Sequence, residues 1–178
     1  VPELYEDFLR SIGNLKQLLS GVRFDRKESG LVRHVAKTAE SLRNILWDAK
    51  QSPEWSRPRL AIDAEWHGDH PCNPGSYIRC FQFSWAPQTA ALVEMCGVGG
   101  TVNPEAREMV RIFNDFLLEH RPQLIGHFLT ADLEWLIPAG LYSLYDLWKE
   151  KGFDTGLAAH SIWESSRLKL EYLAHKHM

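Results

Sequence analysis

The chain has 178 residues, 44% of them hydrophobic, and 20 Lys/Arg against 23 Asp/Glu give it a net charge of −3. That length suits one domain with an appendage and a real buried core, and the acidic balance excludes a general polyanion binder working through bulk positive charge. No run approaches the roughly 20 apolar residues of a membrane span, no signal peptide is visible, and three irregularly spaced cysteines (Cys72, Cys80, Cys96) exclude a disulfide framework. An intracellular globular protein with no membrane partner is expected.

Leu4, Phe8, Leu9, Ile12, Leu15, Leu18 and Leu19 predict an amphipathic helix. A second is predicted over Leu31–Ala49 from Val35, Ala36, Ala39, Leu42, Ile45 and Leu46, with the polar run 21–30 between the two. Residues 51–58, bounded by Pro53 and Pro58, read as an extended connector. Residues 1–57 are therefore expected to form a helical extension and linker, and 58–178 the main domain. The two parts differ in charge: ten Lys/Arg against eight Asp/Glu up to residue 57, and ten against fifteen beyond it. Arg23, Arg26, Lys27, Arg33 and Lys37 are the residues an arm contacting nucleic acid would use, although a charge run is more often a solvated face.

In the main domain, strands are predicted over 59–66, 77–86, 89–95 and 122–127. Helices are predicted over 104–120, 131–140, 154–164 and 167–178, with 86–89 as a turn and 144–148 as a candidate further strand. This is the element order of an α/β domain.

The first predicted strand ends in Asp63-Ala64-Glu65. At i, i+2 on a strand, both carboxylates share one face, ~6–7 Å apart. Like charges held so close raise each other's pKa, and a divalent cation between them removes the conflict; oxygen-only ligands suit Mg²⁺ or Mn²⁺. Two solvated acids at a strand edge are the competing reading. Trp66 follows at the cleft, where an aromatic face stacks on a base. The His67, His70, Cys72 spacing invites zinc, but a structural zinc site needs a fourth converging ligand, so a loop beside the site is expected. His127 ends a predicted strand and is either a phosphate or base contact or a satisfied structural group. Asp154 with Thr155 opens a predicted helix and reads as its N-cap.

Three ordered segments carry a resemblance. Asp63 and Glu65 match a D-x-E first motif. Gly126, His127 and Asp132 match a second motif ending in an acid at the head of a helix. The run from Phe153 to His160, with 167–174 after it, matches an F-D-T-x-L-A-A-x…L-x-x-L-A segment. Together these resemble the 3′–5′ exonuclease domain of family A DNA polymerases, within the DEDD superfamily. Two positions depart from that pattern: Phe128 stands where the family has Asn, and Ala131 where it has an aromatic. The fourth acid, normally beyond the third segment, has no counterpart. Tyr142 and Asp146 have its spacing but precede that segment.

The resemblance implies a ribonuclease H-like mixed sheet, three antiparallel strands followed by parallel ones, flanked by helices. It implies 3′–5′ exonuclease (proofreading) chemistry by two Mg²⁺ or Mn²⁺ ions, with Asp63, Glu65 and Asp132 as catalytic metal ligands and Trp66, His127 and Phe128 as substrate contacts. The implied partners are a single-stranded DNA 3′ end or primer-template and a polymerase domain following on the same chain, in a cytoplasmic, bacterial or phage-type setting. The absent fourth acid and a last helix that stops in mid-pattern lead to the expectation that the sequence is cut before its final motif and that residues 1–178 alone turn over little. The alternatives are an inactive DEDD-like module that binds nucleic acid or acts as a scaffold, and a stand-alone ribonuclease.

Overall fold

The computed structural model describes residues 32–162. The helices predicted over residues 4–19 and 167–178 and the polar run 21–30 lie outside them. The elements run β1 (Val32–Ala36), α1 (Ala39–Gln51), a 3₁₀ turn (Pro53–Ser56), β2 (Arg59–His67), β3 (Tyr77–Ser84), β4 (Thr89–Glu94), a 3₁₀ turn (Val98–Gly100), α2 (Ala106–His120), β5 (Gln123–Gly126), α3 (Leu129–Leu136), α4 (Ser143–Lys151), β6 (Phe153–Asp154) and α5 (Thr155–Ile162).

All six strands form one mixed sheet in the order β1-β4-β3-β2-β5-β6. β2, β3 and β4 are antiparallel neighbours, β5 runs parallel to β2, and β6 runs parallel to β5. β2 alternates between core and the other face of the sheet: Leu60, Ile62 and Ala64 are buried, while Arg59, Ala61, Asp63 and Glu65 are partly exposed. Ile62 and Ala64 pair with Phe83 and Phe81, and both phenylalanines meet Phe113 of α2 at 4.9 Å between ring centroids. The apolar face of β2 is therefore turned to α2, and the acids lie on the opposite face.

The helix predicted over Leu31–Ala49 begins only at Ala39. Val32–Ala36 instead pairs in parallel with β4, from Val32 opposite Thr89 to Ala36 opposite Val93. Thr38 sets the helix start: its hydroxyl accepts from the Ser41 N–H at 3.1 Å and the Ser41 hydroxyl accepts from the Thr38 N–H at 3.1 Å. Leu42, Ile45 and Leu46 of α1 then join the same core as the sheet. Glu105 accepts from the Ala39 N–H at 2.8 Å, and the Asn103 amide donates to the carbonyls of Lys37 and Glu94 at 2.9 and 3.0 Å. These bonds tie the β1–α1 corner to the entrance of α2.

Two further expectations are corrected. The extended connector contains a 3₁₀ turn begun by Pro53, and Trp55 within it packs on Phe116 at 5.1 Å. The strand expected at 144–148 is helix α4, because Leu144 and Leu147 occupy one helical face and are both buried. The strand next to β5 is the two-residue Phe153–Asp154.

Phe113 is fully buried at the centre of the aromatic cluster. Phe113→Ala should therefore cost about 3–5 kcal/mol, measured as a lowered urea midpoint with an unchanged slope. A loss below about 1 kcal/mol would contradict the place given to this ring.

Candidate active site

Pairing of β2 with β5 stops at Ala61 and Ile125, while β2 continues to His67. The chain leaves β5 at Gly126, where a Cβ would lie 2.7 Å from the Leu129 side chain, so only glycine permits so tight an exit into α3. Past this exit, one edge of β2 has no strand beside it. Asp132, in the first turn of α3, fills the vacancy: its Oδ1 accepts from the Ala64 N–H at 2.9 Å. The Asp132 carboxylate is thereby fixed to the backbone of the residue between Asp63 and Glu65. The two sequence motifs meet at that bond.

Asp132 is only 5% exposed. Burial above all, and then the charge of Asp63, push its carboxyl up to about 8; the Ala64 N–H and its own backbone N–H pull the other way. Cys80 sits opposite Glu65 on β3. Burial first and the Glu65 charge next push its thiol up to about 11. Between Glu65 and Trp66 the ladder shifts by one residue on β3, leaving Arg79 as the extra residue of a bulge. The Arg79 carbonyl accepts from the Met95 and Cys96 N–H groups at 2.9 and 3.0 Å, which anchors the bulge to the strand end beyond it.

Asp154 organises the other wall. Its Oδ1 accepts from the N–H groups of Phe128, Gly156 and Leu157 at 3.0, 2.8 and 3.1 Å, and its Oδ2 from Leu129 at 2.8 Å. It caps α5, as its position in the sequence predicts, and also the start of α3. One carboxylate thus satisfies amides at two helix N-termini whose dipoles both favour negative charge. Thr155 hydrogen-bonds the Gly126 carbonyl at 3.1 Å and His127 Nδ1 at 2.9 Å. With its one proton donated to the carbonyl, Thr155 accepts from His127, which must carry its proton on Nδ1.

The remaining sequence candidates have defined surroundings. Trp66 stacks on Trp135 of α3 at 5.1 Å and 14°. His67 stacks on Tyr77 at 5.2 Å, and His70 Nε2 lies 3.3 Å from Glu134 while its Nδ1 accepts from the Cys72 N–H at 3.2 Å. His67 and His70 are thus engaged separately. Asp146 is exposed on α4. Among the described residues no three His, Cys, Asp or Glu side chains enclose a metal ion by themselves. The three acids nevertheless suit Mg²⁺ or Mn²⁺: they offer only hard oxygen donors, and the Asp63 charge against a buried Asp132 is relieved by a divalent cation. Mg²⁺ in particular is commonly held by one or two carboxylates, with water and substrate phosphate completing its shell. The double-capping role of Asp154 and the Ala64 N–H contact escape sequence reasoning; the Phe153-Asp154-Thr155 run marks the first, and nothing local marks the second.

A mixed six-stranded sheet in this order, flanked by helices, is that of the ribonuclease H-like α/β proteins. The chain belongs to the 3′–5′ exonuclease family, whose profile matches residues 34–178 and so takes in the last three residues of β1 and the whole of α1. The fold is similar to the catalytic core of RRP6 from Trypanosoma brucei, with a TM-score of 0.51 and 16% identity over 74% of this chain and 31% of that one. The EXO domain of Aedes aegypti Nibbler gives a TM-score of 0.47 and 12% identity over 81% and 62% of the two chains. The EXD2 exonuclease domain gives 0.42 and 14% over 83% and 71%. The chain spans under a third of the length of the RRP6 core, at 31%. No curated protein matches it by sequence.

Asp132→Asn keeps an oxygen for the Ala64 N–H but removes the titration. In EDTA the native protein binds a proton at Asp132 that the unfolded chain has lost, from pH ~4, the usual carboxylate value, up to about 8. Wild-type stability should therefore fall as pH rises through that window, and the slope should flatten in Asp132→Asn. Thermal melts across the range measure it, and parallel curves for the two proteins would refute the shift. Asp154→Ala should cost roughly 1–4 kcal/mol, the sum of two lost helix caps at ~0.5–2 each, read by urea unfolding; a loss of a few tenths would mean that water replaces the clamp.

Proposed function

We propose that this chain hydrolyses phosphodiester bonds stepwise from the 3′ end of a single-stranded nucleic acid, using two Mg²⁺ or Mn²⁺ ions held by Asp63, Glu65 and Asp132. The observation that supports this reading is the bond from the Ala64 N–H to Asp132 Oδ1, which ties Asp132 to the backbone between Asp63 and Glu65. Such a pair of ions, when bound, supplies a water of lowered pKa and stabilises charge on the leaving 3′ oxygen. Asp63 and Glu65 lie on one strand face and Asp132 approaches from the strand's edge; among the described residues they do not enclose an ion by themselves, so water and substrate phosphate would complete its shell. A frayed 3′ end suits such a cleft, because a base already unstacked does not spend the few kcal/mol needed to leave a duplex.

Within that activity, the run from Phe153 to His160 supports editing beside a family A-type DNA polymerase on the same chain. Phe128 in place of Asn and Ala131 in place of an aromatic favour a second reading, a nuclease acting without a polymerase on DNA or RNA. The presence of Asp63, Glu65 and Asp132 argues against an inactive scaffold.

A 5′-labelled primer with a matched or mismatched 3′ end separates these readings. In Mg²⁺ a protein carrying this domain together with its fourth acid should shorten the strand from the 3′ end, faster at the mismatch, while residues 1–178 alone should turn over little. Asp63→Ala should slow it by more than the roughly 10–100-fold cost of losing an outer-shell partner. Digestion from the 5′ end, or an unaffected Asp63→Ala, would exclude the nuclease site described here. An RNA strand degraded as fast as DNA, with no mismatch preference, would select the stand-alone reading.

A further inference from the structure

The bulge in β3 decides where Arg79 goes. Phe81, opposite Ala64, is fully buried, so Cys80, opposite Glu65, lies on the face that carries the acids. Strict alternation would turn the preceding residue, Arg79, into the core. The register shift prevents this: Ile78, opposite Trp66 and 9% exposed, takes the core position, and Arg79 is exposed. Bulges re-aim side chains in this way. The guanidinium charge is felt on the acid side of the sheet. At the Cys80 thiol, burial and then the Glu65 charge act upward, and the Arg79 charge opposes them. Glu94, opposite Cys80 on β4, is already paired with Lys37 at 3.3 Å. Among the described residues Arg79 itself forms no ion pair. An exposed guanidinium held beside carboxylates, yet paired with none of them, is suited to an anion from outside the chain.

We propose that Arg79 is a positioning residue that holds a backbone phosphate from the last two linkages of the strand, laying its 3′ end along β3 beside the acids. The inference rests on the exonuclease reading above. A guanidinium presents a planar fork that matches two phosphate oxygens, which a lysine ammonium does not. Asp63 and Glu65 repel the same phosphate unless cations cover them. A fixed positive charge one strand away therefore complements those ions and does not replace them. One guanidinium is no basic surface: it sets where the backbone lies and adds only modestly to affinity.

The test is binding of a 5′-fluorescein oligothymidylate to the protein in Mg²⁺, followed by fluorescence anisotropy over a series of salt concentrations. A second oligothymidylate carries uncharged methylphosphonates at its last two linkages. Arg79→Ala should weaken binding of the natural strand roughly 5- to 10-fold, the scale of an exposed charge-assisted contact. It should also lower the slope of log K against log salt by about 0.7, the loss of one phosphate contact on a single strand. Arg79→Lys should keep the slope and recover only part of the affinity. On the methylphosphonate strand, wild type and Arg79→Ala should bind alike, which a merely structural role would not produce. Both substitutions leave the backbone carbonyl at position 79 in place, and melting curves establish that each variant is folded. Equal binding of the natural strand by wild type and Arg79→Ala, or a difference of the same size on both strands, would overturn the proposal and leave the nuclease reading standing. No binding of the natural strand by the wild type would overturn the nuclease reading, and this role with it.

Discussion

β2 runs on past its last pair with β5, and the rest of the site follows from what closes that open edge. A buried strand N–H without an acceptor costs free energy on the scale of a lost hydrogen bond. At Ala64 the acceptor is a side chain, Asp132, reaching in from α3 at 2.9 Å. One contact thus serves two ends. It satisfies the Ala64 N–H on the strand's open edge, and it fixes a third carboxylate at the residue between Asp63 and Glu65. Burial at that position, and after it the charge of Asp63, raise the Asp132 carboxyl to about 8, while the Ala64 N–H itself pulls the other way. A divalent cation is suited to offset both costs of charging this acid.

That contact depends on where α3 begins. Gly126 permits the sharp exit from β5, and Asp154 fixes the amides of Phe128 and Leu129. A shift of one residue in the helix start would rotate Asp132 by about 100° around the axis, away from β2. β6 needs only two residues because its task is to deliver Asp154 beside Gly126. The clamp and the acid are coupled through one turn of helix, so stability and site geometry are set by the same bonds.

The acids were legible because their signals are local: D-x-E at the end of an apolar strand, and an acid just after a glycine exit. The run of three antiparallel strands, β2 to β4, followed by the parallel β5 agrees with the resemblance those motifs carry. β1 was hidden because Val35 and Ala36 continue the helical spacing of Ala39 and Leu42; only pairing with β4, more than fifty residues away in sequence, makes that segment a strand. The Thr38–Ser41 capping box was the local sign that the helix starts later. The two residues of β6 are too few to show any periodicity, and the helical spacing of Leu144 and Leu147 lay in the segment assigned to a strand. Trp66 meeting Trp135, like Asp132 meeting the Ala64 N–H, joins residues far apart in sequence, and no local pattern encodes such a pairing.

Charge constrains how such a site would hold a polyanion. From residue 58 onward the chain carries fifteen acids against ten Lys/Arg, so counterion release by a basic surface contributes little there. Two of those cations are already committed: Arg111 to Glu108 and Asp115, and Arg121 to Glu150. The remaining sources of affinity are divalent cations at the carboxylates, which attract phosphate, and π-faces, which attract bases irrespective of charge. The first acts only near the cleaved bond, and the second only on bases that are unstacked. A domain relying on both would grip a frayed end strongly and a duplex weakly. On the nuclease reading, preference for single strands then follows from the acidic surface as much as from the shape of the cleft.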